Sequence, residues 1–356
     1  MKKIIVLGAF VNALGIIRAL GKTKQYHLIA IGRDNKKNIA RWSKYLNEMV
    51  CLGEKDTEID VLLRNEDEWK NAYIIPTSDD NVRQLQINFE RLSGCYTPLV
   101  DSKNIDIILS KKKFAKMCTD ANIPVPKHYS SYDEIECPVI FKPENEQAKQ
   151  LFRDKFNKGI LVINNKSELP SLDKDVLEMS VIQQFVSGND LFFTGGYSHK
   201  GEVKLIMVAK KIIQRPPHGG DTAVAMSVHN NQLVEYSKRL LKEIGYTGLF
   251  DIEFKYNCLE RDFYVIEMNP RSAKWISFLE LLGLPVIKQS IDPDQQPDKT
   301  SYKAGASWVD IYGLLGNLAK YSSARRSILK YIYYLVTARN FAVFDRKDIK
   351  PFLKRR

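Results

Sequence analysis

The sequence predicts an α/β domain at its amino-terminal end, followed by a longer α+β region and a helical carboxy-terminal segment. Over residues 1–100, strands that are apolar throughout alternate with helical patterns, which is typical of a parallel sheet. Over residues 110–290, most strands follow one another across short turns, which is typical of antiparallel pairing. The chain of 356 residues is long enough for two or three packed domains.

The first 100 residues predict a small Rossmann-like domain. KKIIVLG predicts a buried strand, VNALGIIRALGK a helix and YHLIAIG the next strand. A third strand, NAYIIPTS, leads to Asp79 and Asp80, which lie where open α/β sheets bind ligands but could equally begin a helix as its N-caps. Gly8 and Gly15 do not form a GxGxxG pattern, so the dinucleotide fingerprint is absent.

The region after residue 110 predicts a helix and then a series of strands. SKKKFAKMCTDANIPVP predicts a short amphipathic helix closed by two prolines, and VIFKP predicts a strand that carries Lys142. LFFTGGYS and EVKLIMVAKKI predict strands on either side of a turn at 199–201, and LVEYSKRLLKEIG predicts a helix. LFDIEFKYN and DFYVIEMNP predict two further strands joined by a turn.

Composition limits the compartment and the partners. A net charge of +12 allows nucleic acid, phosphorylated ligands or an anionic membrane surface, but no nucleic-acid-binding motif is present. Five widely spaced cysteines without a CxxC pair argue against a disulfide framework and a zinc site. The most apolar stretch, 328–343, contains two basic residues and three tyrosines and is a poor membrane span. We therefore predict a cytoplasmic protein with no transmembrane segment and no nucleic-acid partner.

The last two predicted strands carry polar side chains among large apolar residues. Asp251 and Glu253 share one face of the first strand, and Glu267 and Asn269 share one face of the second. If the strands form a hairpin, the two glutamates can face each other, which destabilises a sheet unless a cation lies between them. Carboxylate and amide oxygens suit Mg²⁺ when phosphate oxygens complete its shell. A solvated face paired with Lys or Arg is the simpler alternative, but Arg271, two residues past Asn269, favours a metal and phosphate site.

Other segments supply candidate nucleotide ligands. Lys142, on an apolar strand, is a candidate phosphate ligand, although a lysine at a strand end often extends its ammonium group into solvent. Lys111 lies in a run of three lysines, for which a solvated helix face is the simpler explanation. The backbone of Gln183–Val186 can hydrogen-bond an adenine edge, and Asp190 could hold ribose hydroxyls.

The order of these segments resembles the ATP-grasp superfamily, in particular its carboxylate–amine ligases, which include D-aspartate-ligase-like and carbamoyl-phosphate-synthase-like proteins. The resemblance covers nearly the whole chain. Its most specific motif is DIEF…VIEMNPR, in which Glu267 follows Glu253 by 14 residues and Asn269 lies two further on. It implies four segments: a Rossmann-like pre-ATP-grasp domain (1–105), a small ATP-grasp subdomain (106–186), a large one with the metal site (187–300), and a basic, mainly helical carboxy-terminal segment (301–356).

The resemblance also implies a ligase that depends on ATP and on one or two Mg²⁺ ions, or Mn²⁺ in their place. A small substrate carboxylate would be activated as an acyl phosphate and joined to an amine, with release of ADP and phosphate. The residues it implies are Lys111, Lys142 and Lys158 for the phosphates; Gln183, Gln184, Phe185 and Val186 for adenine; Asp190 for ribose; Glu253, Glu267 and Asn269 for the metal; and Arg271, Lys142 and Arg215 for catalysis.

Several features depart from the family pattern or leave alternatives open. Gln184 stands where Glu is common, and the loop after Lys142 lacks a glycine-rich run, so Lys158 is expected to substitute for its phosphate contact. Arg215 could clamp a substrate carboxylate, but a surface loop explains it equally well. The alternatives are a non-ligating ATP-binding protein or, less favoured, a protein that binds nucleic acid or a membrane surface through segment 301–356. The simplest account of that segment is a packed helical cap with a solvated basic face, and a homodimer is also allowed.

Overall fold

The computed structural model describes residues 1–355 except 36, 101–103, 132, 145, 158, 172, 173, 218, 219 and 298. The chain divides into two compact units. The first unit comprises 1–106, 191–252 and 268–356, and the second comprises 107–190 and 253–267. The predicted division into four segments, which places 187–300 in one subdomain, stays a prediction.

A parallel sheet in the order β3-β2-β1-β4-β5 forms the amino-terminal part of the first unit. Its strands are β1 (Lys2–Leu7), β2 (Tyr26–Arg33), β3 (Glu48–Leu52), β4 (Ala72–Pro76) and β5 (Tyr96–Pro98). The apolar run of β1 is explained by complete burial from Ile4 to Leu7. Sequence reasoning found β1, β2 and β4 but missed β3 and β5, because β3 is only partly buried and β5 has three residues.

The helices of this part are α1 (Val11–Gly21), α2 (Glu58–Arg64), α3 (Asp79–Ile87), α4 (Phe89–Leu92) and α5 (Ile105–Leu109), with a 3₁₀ helix at Ile39–Trp42. Helix α3 shows that neither Asp79 nor Asp80 is a helix N-cap. Its N-cap is Ser78, whose hydroxyl accepts a hydrogen bond from the Asn81 N–H at 3.0 Å. The two aspartates lie in the first turn, where the helix dipole favours negative charge.

The second unit contains a small sheet in the order β7-β6-β8. Its strands are β6 (Val139–Pro143), β7 (Leu161–Ile163) and β8 (Ser180–Gln184), and β6 pairs antiparallel with both neighbours. Its helices are α6 (Lys111–Asp120), α7 (Glu146–Phe156) and α8 (Lys174–Glu178), with a 3₁₀ helix at Lys166–Ser171. Phe141 and Phe152 are fully buried in an apolar cluster that joins the sheet to α7.

The larger sheet has the order β13-β12-β9-β10-β11-β14-β15. Its strands are β9 (Leu191–His199), β10 (Glu202–Arg215), β11 (Asp221–Val228), β12 (Gly248–Asn257), β13 (Asp262–Asn269), β14 (Ser307–Val309) and β15 (Asn340–Phe341). Strands β12 and β13 are neighbours, as the hairpin hypothesis requires. The long β10 pairs antiparallel with β9 and β11, and β11 was not predicted from the sequence.

The remaining helices are α9 (Asn231–Ile244), α10 (Ile276–Leu281), α11 (Val286–Ile291), α12 (Ile311–Lys320), α13 (Ser322–Arg326), α14 (Ile328–Thr337) and α15 (Lys350–Lys354). Helix α9 is amphipathic, begins at an Asn230 cap and ends at Gly245, whose φ of 67° suits glycine. None of the helices within the described residues has the length and apolarity needed to cross a bilayer.

The core of the first unit brings the two ends of the chain together. Gly195 on β9 is required by packing, since a Cβ there would lie 1.8 Å from the Trp275 ring. Arg18 of α1 is buried and donates from Nε to the carboxylate of Asp348 at 2.9 Å, and from Nη1 to the carbonyl of Val343 at 2.8 Å. The same carboxylate accepts from the Ser43 hydroxyl at 2.7 Å. Asp348 therefore holds three separate segments around one buried ion pair.

Replacing this carboxylate should destabilise the first unit strongly. In Asp348→Ala, the buried Arg18 guanidinium keeps its charge and loses its partner, so we expect a loss of roughly 3–5 kcal/mol in the free energy of unfolding. Urea unfolding followed by circular dichroism measures it. The matched control is Asp345→Ala, which removes a 3.6 Å ion pair with the half-exposed Lys22 and should cost less than about 1 kcal/mol. Equal losses in the two variants would contradict the assignment.

Candidate functional site

The centre of the candidate site in the second unit is Lys142 on β6. Val139, Phe141 and Pro143 are buried on one face of this strand, so alternation places Lys142 on the other face. Burial lowers the pKa of the Lys142 ammonium from 10.5 to about 8. The Lys142 side chain is half-buried overall, and its role as a phosphate ligand stays a prediction. A buried ammonium is costly unless negative charge compensates it.

The charges that act on Lys142 are those that the sequence singled out. Glu267 raises the pKa of Lys142 most among its neighbours, and Glu253 raises it further. Lys111 and Lys255 lower it, since like charges disfavour protonation. Two carboxylates and two further ammonium groups of the second unit are thus within electrostatic reach of Lys142.

Lys111 is the first residue of α6, directly after its cap Ser110. Its ammonium group donates to the carbonyl oxygen of Pro143 at 2.6 Å, which places it beside the end of the Lys142 strand. Burial lowers the pKa of Lys111 as well, and Glu267 opposes that shift. The first turn of α6 has three lysines and no acidic residue, so it lacks the negative charge that a helix N-terminus favours. An anionic ligand would supply that charge.

Glu253 and Glu267 lie on the neighbouring strands β12 and β13. Glu267 is exposed and Glu253 is half-buried, so both carboxylates can be reached by a ligand. Their common influence on Lys142 supports the prediction that the two side chains are close. Within the described residues, no group of three or more His, Cys, Asp and Glu side chains is arranged to hold a metal.

Lys255 was missed in the sequence and belongs with these residues. Its ammonium lies 4.4 Å from the ring centroid of Phe185, a cation–π contact, and burial lowers its pKa. The missed signal was spacing, since Lys255 follows Glu253 by two residues on a strand and therefore shares its face. The contact also fixes Phe185, one of the residues predicted to hold adenine.

The predicted adenine segment is only partly available for hydrogen bonds. The N–H of Gln184 donates to the carbonyl of Lys127 at 2.8 Å, and that of Phe185 donates to the carbonyl of Pro138 at 3.1 Å. Gln183 is buried, and its side-chain amide lies 2.6 Å from the ring of His128. Backbone recognition of adenine by residues 183–186 would therefore use carbonyl oxygens and the backbone of Val186.

Asp190 ends the loop that follows this strand. Its carbonyl accepts from the Tyr256 N–H at 2.9 Å, which ties the loop to β12. Gly188 has a φ of 108°, and a Cβ there would lie 2.7 Å from the Tyr256 carbonyl oxygen, so only glycine fits this approach. The loop thus holds Asp190 beside the strand that carries Glu253 and Lys255.

The first unit carries Asn269 and Arg271. Asn269 donates to the buried carboxylate of Asp251 at 3.2 Å and accepts from Arg271 Nη2 at 3.1 Å. Arg271 donates from Nε to Asp79 at 2.9 Å. Arg271, which is predicted to reach phosphates, is therefore held by Asp79 in the first turn of α3. The sequence had identified Asp79 separately as a candidate ligand.

A second group of polar side chains lies at the end of β10 and β11 in the first unit. Arg215 is the last residue of β10, and its guanidinium packs against Gly316, where a Cβ would approach it to 2.7 Å. Lys274 donates to the carbonyl of Thr222, which pairs with the residue before Arg215, and forms a 2.7 Å ion pair with buried Asp310. Arg215 and Lys274 therefore approach the same strand end.

Lys158, predicted to contact phosphates, and His218, in the turn after Arg215, lie outside the described residues. Their roles stay predictions. The other predicted residues divide between the units as they do along the chain. The second unit holds Lys111, Lys142, Gln183, Gln184, Phe185, Val186, Asp190, Glu253 and Glu267, and the first holds Arg215, Asn269 and Arg271.

Comparison with known proteins places these residues in a known domain. Residues 108–273 match the family described as the ATP-grasp domain. The chain is 22% identical over 310 residues to the D-aspartate ligase of Enterococcus faecium (strain Aus0004), with 79% of this chain and 73% of that protein covered. It is 26% identical over 210 residues to the carbamoyl phosphate synthase large chain of Clostridium acetobutylicum, with 53% of this chain covered. It spans 19% of that large chain.

The fold comparison agrees. A biotin carboxylase–β,γ-ATP complex from Campylobacter jejuni superposes with a TM-score of 0.66 and 17% identity, over 86% of this chain and 74% of that one. At this identity the likeness concerns the fold alone. The predicted fold class, a Rossmann-like domain followed by an α+β ATP-grasp fold, is confirmed.

Replacing Lys142 should separate stability from function. In Lys142→Met, the cost of withdrawing this ammonium from water is removed, so we expect the ligand-free protein to gain roughly 2–3 kcal/mol at pH 7. The folded-state pKa of about 8 lies below the ordinary 10.5, so the unfolded chain binds more protons between these values. Wild-type stability should therefore rise from pH 8 to 10.5, and its deficit relative to the variant should shrink.

Urea unfolding at pH 7 and at pH 10 measures this effect. Calorimetry measures the affinity for ATP, which should fall at least tenfold in Lys142→Met because roughly one charged contact is lost. The matched control is Lys116→Met, which removes a 77% exposed lysine of the same unit. A less stable Lys142→Met with wild-type ATP affinity would remove Lys142 from the site.

Proposed function

Because residues 108–273 match the ATP-grasp domain, we propose that the chain is an ATP- and Mg²⁺-dependent carboxylate–amine ligase. It activates a small-molecule carboxylate as an acyl phosphate and joins it to an amine, with release of ADP and phosphate. Its proposed partners are ATP and these two small substrates, and the proposed compartment is the cytoplasm. The experiments below test this assignment.

One observation carries the proposal. Lys142 and Lys111 are half-buried lysines whose pKa values are lowered by burial and raised by the same carboxylate, Glu267. Glu253 also raises the pKa of Lys142, so cations and carboxylates of the second unit lie within electrostatic reach of each other there. A polyphosphate bridged to the carboxylates by a divalent cation would balance both signs.

The donor set fits Mg²⁺. Mg²⁺ uses one or two protein carboxylates and completes its octahedral shell with water and substrate phosphates. The second unit supplies two carboxylates, and none of the described residues adds a third carboxylate, His or Cys to form a self-sufficient cage. Glu253, Glu267 and Asn269 would hold the ion. When bound, it neutralises charge that develops on the transferred phosphoryl group.

The protein side chains supply position and charge rather than a nucleophile. Phosphoryl transfer depends mainly on alignment and electrostatic stabilisation. Lys111 and Lys142 would orient the phosphates. Arg271, held at Nε by Asp79, would keep its remaining N–H groups in a fixed direction for the transferred phosphoryl group. Asp79 thus acts as a positioning residue in this proposal.

The substrate carboxylate is proposed to be an amino acid or a related acid. The likeness to a D-aspartate ligase, of which the chain covers 73%, supports this class. Arg215 at the end of β10 offers a cation for its carboxylate, and bidentate pairing with the guanidinium would give orientation. Lys274, at the same strand end, is already paired with Asp310.

Removing one negative charge from the cluster should abolish turnover. In Glu267→Gln, the metal loses a carboxylate and both lysines lose the charge that supports them, so phosphate release should fall by roughly a thousandfold or more while the fold is kept. Phosphate release with the best substrate pair and thermal unfolding measure the two effects. Glu178→Gln, at an exposed carboxylate of the same unit, is the control and should leave turnover unchanged.

The ligase class is tested by product analysis. The wild-type protein should release ADP and phosphate from ATP only when both a carboxylate and an amine are present, and mass spectrometry should show an amide of their combined mass less one water. A panel of D- and L-amino acids, each with and without a second amine, covers the proposed class. Binding of ATP without release for any pair would support the non-ligating alternative instead.

A further inference from the structure

Helix α14 (Ile328–Thr337), in the first unit, is apolar on two opposite faces. On one face Tyr331 is 4% exposed and packs into an apolar cluster together with Tyr334 and Leu335. The sequence account of segment 301–356 expected such packing, with a basic and solvated outer face. The outer face is instead apolar.

The outer face consists of Leu329, Ile332, Tyr333 and Val336, which we call the α14 stripe. Their exposed fractions are 80%, 46%, 59% and 78%. They are spaced by three, one and three residues, so they form one continuous band along the helix, opposite Tyr331. Single exposed apolar residues are ordinary, but a contiguous band of four at helical spacing indicates a surface that another body covers.

The sequence on both sides of the stripe carries only positive charge. From Ile311 to Phe344 the sequence has no Asp or Glu. This part of the chain has five basic residues, all exposed: Lys320, Arg325, Arg326, Lys330 and Arg339. Arg325 donates to the carbonyls of Leu318 and Ala319, and Lys330 to the carbonyl of Ile212. These partners are neutral, so they fix the two side chains without cancelling their charge.

We propose that the α14 stripe binds the surface of an anionic lipid bilayer. The apolar band would enter the boundary between headgroups and acyl chains, and the five basic side chains would contact lipid phosphates around it. Tyr333 suits this boundary because its ring is apolar and its hydroxyl is polar. The helix has 10 residues, which suits a position in the plane of the interface rather than across it.

Charge argues against the simplest competing occupant, a second copy of the chain. A two-fold contact through the stripe would place the same patch on both partners, and thus bring five cations against five. Such repulsion opposes the contact, whereas lipid phosphates reinforce it. Because one short apolar stripe and one basic patch act together, the binding should be reversible and should weaken with salt.

The test is co-sedimentation of the full-length protein with vesicles of equal parts phosphatidylglycerol and phosphatidylcholine, compared with phosphatidylcholine alone. The wild-type protein should bind the anionic vesicles at low salt and lose binding as salt rises. In Leu329→Ser/Val336→Ser, affinity should fall by roughly tenfold or more because two large side chains lose their transfer out of water. In Arg326→Gln/Arg339→Gln, the dependence on salt should become shallower.

The matched control is Ile87→Ser/Leu259→Ser, which removes two apolar side chains that are 68% and 77% exposed elsewhere on the chain. It should bind like the wild type, and thermal unfolding should be the same for all variants because each changed side chain is exposed. The proposal is overturned if wild-type protein prefers neither vesicle at low salt. It is also overturned if the stripe variant binds like the wild type, or if sedimentation without lipid shows a dimer that this variant dissociates.

Discussion

The candidate site depends on one electrostatic constraint: the ammonium groups of Lys142 and Lys111 are partly withdrawn from water in the second unit, and Glu267 offsets part of the cost for both. Lys142 shows the constraint most clearly, because burial lowers its pKa to about 8 although Glu267 acts in the opposite direction. Cations that are partly withdrawn from water destabilise a protein that has no ligand. Shifted pKa values of this kind cluster at functional sites, where a bound anion offsets that cost.

The local fold explains how this charge is held. The β6 strand ends in Pro143, whose carbonyl accepts the Lys111 ammonium, so one strand end carries one lysine and positions another. Proline supplies a carbonyl but no N–H, which makes it suited to a strand end. Lys255 reaches the cluster from β12 and is steadied by the Phe185 ring. Each cation comes from a different element of the second unit, so a change in any one element would weaken the whole cluster.

Much of this could be predicted from the sequence because it depends on short-range patterns. Alternation along a strand placed Glu253 and Glu267 on particular faces, and continuous apolar runs identified the buried parallel strands. The patterns gave no signal for β3, β5 and β11, which are short or half-buried or lie beside a turn. They also could not show that the N–H groups of Gln184 and Phe185 are donated within the unit, since the acceptors, Lys127 and Pro138, are distant in sequence.

The cations behind the net charge of +12 include two groups that differ in their surroundings. In the second unit, Lys111 and Lys142 are half-buried beside carboxylates, where a small polyanion with a divalent cation is the matching ligand. Between Ile311 and Phe344 the cations are exposed, lack carboxylates in the intervening sequence and border an apolar band, where an extended anionic surface is the better match. The resemblance implied a mainly helical segment 301–356, but it could not show which face of α14 packs inward. That choice is made by the cluster around Tyr331, and it leaves Leu329 and Val336 exposed among arginines.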